Sequence, residues 1–522
     1  MRRPWYINLL IIGLIGIVLI LWVSSDGRWY ARLAACLLFG ITTAFGIWQS
    51  TKWESAQSFD KTSSRFSPYI PPWLLPLFFV LCLILSPIFL GLSHTVDYIF
   101  PAFTRIFLHI SIYNAILLLL LPCLRKRLSA KVCAALWMLP NILYIAYNSM
   151  ISPEQPLLII PIPIQRKGLW LLIWFIGFAG TLLHQIINHL LFRRKILKNA
   201  KRVWDMDIQR IWYEVLEDGQ FRTRNYPIMY SEEILTPLSI GFFPKTTYVI
   251  LPHREYAQEE LRLIFRHEAI HIGRQDCFAK FFMTFCACIC WFNPVSWMAV
   301  RYCSTDMELS CDEIVLLKEN QETKRRYAEL LLKTAGSDRG FSSCLSASSK
   351  AMFYRLTHVL NPPKRYLGAI AAGIAMFLLL STCGLVAVAH TPVTGESIIS
   401  SIDHADSHDE FICKAGEDRT TYACEDISLL LDYVSSITFY QLSGHYSYPD
   451  DDVFIVFYYA KADYQNNDTS TGIIPGGGVE IALDDHTLTI IDFTAGVPTT
   501  EIHYHNTVID WDYLLSLGTP VS

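Results

Sequence analysis

The sequence predicts a polytopic α-helical membrane protein with one sizeable domain between its spans and a small α+β domain after the last span. Three observations lead there. The chain has 522 residues, 52 % of them hydrophobic and 17 % charged, and a mean hydropathy of +0.31, outside the ordinary soluble range. Seven apolar runs, at about 5–23, 31–49, 73–92, 103–122, 132–150, 168–191 and 367–389, are long enough to cross a bilayer. Charge is also segregated. Residues 391–522 hold 22 acidic against three basic side chains, a balance of −19 in a chain of net −4, so the first 390 residues carry +15.

The first run begins MRRPWYINLL and has no small-residue cleavage site after it, so it reads as a retained anchor rather than a signal peptide. Lys and Arg set the orientation. CLRKRLSAK (123–131) carries four cations and FRRKILKNAKR (192–202) six, and both are expected in the cytoplasm. Two spans separate them, so the parity agrees. Met1-Arg2-Arg3 and the loop 50–72, with Lys52, Lys61 and Arg65, fall on the same side. Residues 1–192 are then an N-terminal membrane domain of about six spans, and 193–366 a cytoplasmic domain. The span 367–389 exports 390–522. This anionic tail repels nucleic acid and anionic lipid, so no direct nucleic-acid partner is expected. The expected location is a cell membrane, a bacterial plasma membrane crossed several times, with an extracytoplasmic C-terminus.

Most of the 14 cysteines lie in or beside apolar runs, where a thiol behaves as a small hydrophobe. Cys413 and Cys424 fall in the exported tail, either as a disulfide or as two free thiols. Leu380-Ser381-Thr382-Cys383 is a poor lipidation box, and Cys383 reads as an ordinary span cysteine. In the tail, Ile427–Ile437 has a helix pattern. Strands are expected at Phe454–Tyr459, Val479–Leu483 and Leu488–Phe493, with Asp484-Asp485-His486 as a turn.

Within 193–366, a strand pattern at Tyr248-Val249-Ile250-Leu251 stands between Pro244 and Pro252, and an amphipathic helix follows from about Ala257 to Gln275. On that helix the segment FRHEAIHIGRQDC places His267 and His271 four apart, hence on one face. Two imidazoles so placed can share one tetrahedral Zn²⁺. Glu268, one position on, sets a carboxylate beside the metal, where it can take a proton from water. Taken alone, HExxH is equally a solvated helix face. A zinc site needs a third protein ligand, and DMELSCDEIVL (306–316) offers Glu308, with Asp312 four residues on to accept the free N–H of a ligating histidine. The competing reading is an acidic helix turn; two helices offering HExxH and then ExxxD favour zinc. The apolar segment 277–300 between them cannot then cross the bilayer once, because Glu308 would lie on the wrong side. It is expected to be a buried hairpin, a re-entrant element or a membrane-resting helix, broken at Asn293-Pro294.

These residues resemble the BlaR/MecR-type membrane metallopeptidases, the sensor-transducers of β-lactam resistance. The resemblance covers about 100–390. It includes Thr236-Pro237-Leu238 through Gly241 to Leu251-Pro252, His267-Glu268-x-x-His271 with Asp276, Trp291-Phe292-Asn293-Pro294, and Glu308 through Cys311-Asp312. It implies a cytoplasm-facing gluzincin with zinc on His267, His271 and Glu308, Glu268 as general base, and Asp276 and Asp312 supporting the ligands. It also implies a cytoplasmic transcriptional repressor as substrate. Zincin-type sites hold an extended peptide by adding it to a sheet edge, so Tyr248, Val249, Ile250 and Leu251 are expected to receive substrate.

Two departures stand out. About 100 residues with three extra spans precede the matched part. The tail also lacks the Ser-x-x-Lys of a penicillin sensor: Phe411 and Tyr458 stand three residues before Lys414 and Lys461. Its cue is therefore expected to be some other extracytoplasmic ligand. The acidic groups at 404–410 and Asp450-Asp451-Asp452 favour a cationic one, although the first cluster also reads as a solvated linker. The expected function is a zinc metalloendopeptidase that transduces a signal by cutting a cytoplasmic regulator or itself. A housekeeping quality-control peptidase and an inert receptor are the alternatives.

Overall fold

The computed structural model describes residues 29–55, 74–146, 157–219, 226–333, 349–360 and 368–400, apart from 163, 165, 390 and 391, together with most strands and one helix of the tail. The expected first span at 5–23 and both acidic clusters of the tail lie outside the described residues.

The membrane-type helices come first. They are α1 (Trp29–Ser55), α2 (Leu74–Leu90), α3 (Leu92–Leu124), α4 (Ala130–Met138), α5 (Leu143–Ala146) and α6 (Lys167–Lys198). Three described helices are long and apolar enough to cross a membrane, at Arg32–Glu54, Ile99–Leu124 and Lys167–Lys198. They coincide with the expected spans 31–49, 103–122 and 168–191. The span at 73–92 is the shorter apolar helix Pro76–Phe89.

The expected span 132–150 takes a different form. α4 stops at Met138, Pro140 sits in a 3₁₀ turn over Leu139–Ile142, and α5 follows. All nine residues of α4 are buried, so its apolarity reflects a protein core rather than lipid. Hydropathy cannot tell these two solvents apart.

The peptidase-like region runs β2 (Lys201–Arg202), α7 (Met206–Asp218), β3 (Ile228–Ser231), β4 (Leu238–Ile240), β5 (Tyr248–Pro252), α8 (Gln258–Arg274), α9 (Asp276–Ile289), α10 (Pro294–Val315), α11 (Gln321–Lys333) and α12 (Ser349–Leu360). Its four strands are ordered β2-β3-β5-β4. α8 buries Leu261, Ile264, Phe265 and Ala269 against Trp212, Val215 and Leu216 of α7 and Val249 and Leu251 of β5. Full burial of one such side chain contributes about 1.5–3 kcal/mol. Glu260 accepts from the Ala257 N–H at 3.0 Å and starts α8. Gln275, at φ 59°, ends it and turns the chain straight into α9.

Residues 277–300 form a helical hairpin, one of the three forms expected for this segment. α9 ends at Ile289, and the Asn293 side chain accepts from the Val295 N–H at 2.9 Å to start α10 at Pro294. The hairpin tip docks on the long apolar helices. Asn293 donates to Ser111 Oγ at 2.7 Å, and Trp174 Nε1 donates to the Ile289 carbonyl at 2.8 Å. Trp291 packs so closely on Gly177 that a Cβ there would lie 2.2 Å from its ring. Ser111 is at the middle of Ile99–Leu124, so the tip reaches halfway along that helix. We expect cysteines placed at Glu259, before the hairpin, and Lys318, after it, to react with a membrane-impermeant maleimide from the same side. Labelling from opposite sides would break the arrangement.

After α12 comes α13 (Ala369–Thr382), where a longer span 367–389 was expected. It gives way to β6 (Val386–Ala389), which pairs in parallel with β1 (Leu158–Pro161). α13 lies against α1 at close range, since a Cβ on Gly40 would sit 2.7 Å from the Gly373 carbonyl oxygen. Contacts group the helix ends into two sets. One set has Lys131 paired with Glu54 at 2.9 Å and Arg125 with Asp306 at 2.8 Å. The other has Arg32 donating to the Ser381 and Cys383 carbonyls at 2.7 and 3.0 Å, beside β1 and β6.

The tail has β7 (Pro392–Thr394), α14 (Gly395–Ser400), β8 (Phe411–Ala415), β9 (Thr420–Cys424), α15 (Ile427–Ser436), β10 (Thr438–Gln441), β11 (Phe454–Ala460), β12 (Gly477–Leu483), β13 (Thr487–Thr494), β14 (Val497–His505) and β15 (Gly518–Val521). The expected helix and three strands are present. The sheet order is β15-β9-β8-β11-β12-β13-β14-β10-β7. Cys413 faces Tyr422 across β8 and β9, which leaves Cys424 on a diagonal to it.

Candidate metal centre

α8 and α10 bring the expected groups together. The Nε2 atoms of His267 and His271 are 3.0 Å apart. Glu308 Oε2 is 3.6 Å from each. A tetrahedral zinc with ligands at about 2.0–2.1 Å holds them roughly 3.3 Å from one another, and this triangle fits that spacing. Glu268 is 2 % exposed on the same helix.

Both imidazoles are oriented through their other nitrogen. His271 Nδ1 donates to Asp276 Oδ2 at 2.6 Å. His267 Nδ1 lies 2.9 Å from the Tyr327 hydroxyl, which in turn donates to Asp312 Oδ1 at 2.7 Å. The direct distance from His267 Nδ1 to Asp312 is 3.5 Å, so the expected support from Asp312 passes through Tyr327. In this tautomer both Nε2 lone pairs point at one place.

Cys311 competes as a third ligand, because its sulfur and the two imidazoles offer donor atoms all within 4.8 Å of one another. Its Sγ, however, lies 3.4 Å from His267 Nδ1 and 3.4 Å from the His267 carbonyl. Cys311 also meets His271, while Glu308 Oε2 stands 3.6 Å from both Nε2 atoms, so the thiolate and the carboxylate are both within reach of the two imidazoles.

The electrostatics suit a cation. Burial favours neutral imidazole, but Cys311 and Glu308 outweigh it and raise His267 to about 10. His271 is raised well above its ordinary value for similar reasons. Burial would raise Glu308, yet Lys280 and His271 hold it well below the usual carboxylate range. A divalent ion satisfies such a cluster in place of protons.

Some supporting residues carried no sequence signal that was read. Lys280 on α9 donates to Glu308 Oε1 at 2.8 Å, and both side chains are buried. Arg274 binds Asp276 through two nitrogens, at 3.2 and 2.5 Å, and donates to Ser310 and the Met307 carbonyl of α10. Arg355 forks onto Asp312. A lone lysine inside CFAKFFMTF was a legible clue, since an apolar run tolerates a cation only with a partner.

The expected substrate strand requires correction. Tyr248–Leu251 lies in β5, which pairs in parallel with β3 on one side and antiparallel with β4 on the other. Val249, Ile250 and Leu251 are fully buried. Their apolar run marks a central strand, not an edge. The edge on the site's side is β4. Next to it, Ser239, Gly241 and Phe242 line a cavity of about 50 Å³ together with His271 and Phe278.

Residues 154–357 match the protein family described as BlaR1 peptidase M56. The Regulatory protein BlaR1 of Bacillus licheniformis is 28 % identical over 185 residues, which cover 35 % of this chain and 30 % of that protein. This chain therefore spans less than a third of that relative's length. Over residues 154–357 the chain is therefore similar to the peptidase domain of the BlaR1 M56 type.

Proposed function

We propose that this chain is an integral-membrane zinc metallopeptidase that transduces a signal. In this reading it hydrolyses a peptide bond in a cytoplasmic, repressor-like regulator or in itself, in response to a cue met by the extracytoplasmic tail. The observation that carries the reading is the triangle of His267 Nε2, His271 Nε2 and Glu308 Oε2, with edges of 3.0, 3.6 and 3.6 Å, beside Glu268. These three residues would hold the ion. Bound zinc supplies Lewis acidity toward the scissile carbonyl and the attacking water.

The chain's own residues do the rest. Glu268 takes the proton of the attacking water and returns it to the leaving amine. Asp276 and the Tyr327–Asp312 pair fix the two rings, and Lys280 holds the second oxygen of Glu308. An extended substrate lies along the outer edge of β4 by strand addition. The tail's cue is an unidentified, non-β-lactam ligand, for which a cation is the natural match to a −19 surface. The test is a comparison of cleaved cytoplasmic proteins in cells making the wild type or Glu268→Gln. A regulator fragment seen with the wild type alone supports the reading; identical fragment sets overturn it.

The β4 edge has its own test. Gly241 has φ +138°, and a Cβ there would lie 2.4 Å from the Thr246 carbonyl oxygen. Gly241→Ala imposes about 1–3 kcal/mol of local strain and moves the wall beside His271. We expect kcat/KM to fall several-fold while zinc content stays unchanged. Unaltered kcat/KM in this variant would remove β4 as the substrate edge.

A further inference from the structure

We propose that Arg355 is a positioning residue of the metal site, and that through it the helix leading into α13 sets the orientation of His267. The inference rests on the zinc reading above and extends it to residues outside the two motif helices. Arg355 Nε and Nη2 donate to Asp312 Oδ2 and Oδ1 at 2.8 and 2.7 Å, a bidentate fork. The Asp312 side chain is 3 % exposed and that of Arg355 11 %. Asp312 Oδ1 also accepts from Tyr327, whose oxygen meets His267 Nδ1. Arg355 Nη1 reaches within 3.7 Å of Glu308 Oε2 as well. One guanidinium thus touches the support of His267 and, at longer range, Glu308 itself.

The position of Arg355 in the chain gives this contact its meaning. α12 carries it, and Met352, Leu356 and Val359 of the same helix pack into the peptidase core. α12 ends at Leu360 and α13 starts at Ala369, so only 361–368 join them. α13 is pressed against α1 at Gly373, its far end is held by Arg32, and β6 beyond it leads toward the tail. A shift of α12 moves the Arg355–Asp312 fork with it. A tilt of the fork turns Tyr327 and His267 with it, with no change in either motif helix. Lysine cannot replace the fork, because a single ammonium lacks the planar pair of donors.

The test uses the full-length chain in detergent. Zinc affinity is measured by competition with a chromophoric chelator, and coordination by the visible absorption of the Co²⁺-loaded protein. We expect Arg355→Ala to weaken zinc binding about 10–100-fold and to shift the Co²⁺ spectrum, and Arg355→Lys to restore neither. Adding Arg355→Ala to Asp312→Asn should weaken binding by less than the sum of the two single losses, since the arginine's closest contacts are to that carboxylate. Wild-type affinity and spectrum in Arg355→Ala, or additive losses in the double variant, would overturn the inference. If Arg355→Ala does not fold, Arg355→Lys decides alone: weakened affinity with a shifted spectrum supports the role, and wild-type values sink it. Wild-type protein that takes up no zinc would overturn the metal reading, and the inference with it.

Discussion

Glu268→Gln is expected to retain its full zinc content and to lose peptide hydrolysis. The amide matches the carboxylate in size and leaves both histidines and Glu308 untouched, so metal binding has no reason to change. It has no basic oxygen with which to take the proton of the attacking water. Loss of a positioned general base costs about 10²–10⁴-fold in rate. Metal analysis of the purified variant and turnover of a quenched peptide, measured on the same sample, check this directly. Retained turnover with retained zinc would mean that another group accepts the proton.

The second large effect is on the metal itself. His271→Ala removes one of the two facing Nε2 atoms and leaves Asp276 and Arg274 without the ring they hold. We expect that variant to lose most of its zinc. Paired variants then separate the two candidates for the third ligand. Glu308→Ala should lose zinc to a similar degree, while Cys311→Ser should keep it, because Glu308 lies 3.6 Å from both Nε2 atoms and Cys311 approaches His267 from the Nδ1 side. The reverse pattern, with zinc kept in Glu308→Ala and lost in Cys311→Ser, would replace the carboxylate with the thiolate.

The ends of the site were readable because they obey helical spacing. His267 and His271 are four apart on α8, and Glu308 and Asp312 four apart on α10, so the shared faces followed from periodicity alone. Because one ion needs both helices on one side, 277–300 could be read as something other than a single span despite its hydropathy, though not as a hairpin in particular. What spacing could not supply was long-range partnership. Arg355 and Tyr327 reach the site from two further helices, and no local pattern ties them to it; Lys280 is marked only by its lone charge in an apolar run. Periodicity also misjudged β5, since a short apolar run looks alike in an edge strand and in a central one until its neighbours are known. The segment 132–150 failed for a related reason. α4 is as apolar as a span, but it spends that apolarity on the interior, where Trp137 donates to Asp306 at 3.1 Å.

The depth of the α9–α10 hairpin acts as a ruler for what can be cut. Its tip meets Ser111, halfway along a helix long enough to span a membrane. From Pro294 to Glu308, α10 climbs about 21 Å at the usual helical rise. For a bilayer centred on Ser111, the hydrocarbon boundary lies about 15 Å from that tip. In the proposed reading, and with α10 running along the bilayer normal, the metal-binding groups would then stand in the headgroup layer. A compact globular partner cannot bring its interior to such a place. In the same reading a flexible linker or a loose terminus could be drawn in and laid flat along β4, so that the height of the site would select slack polypeptide before any side chain is read.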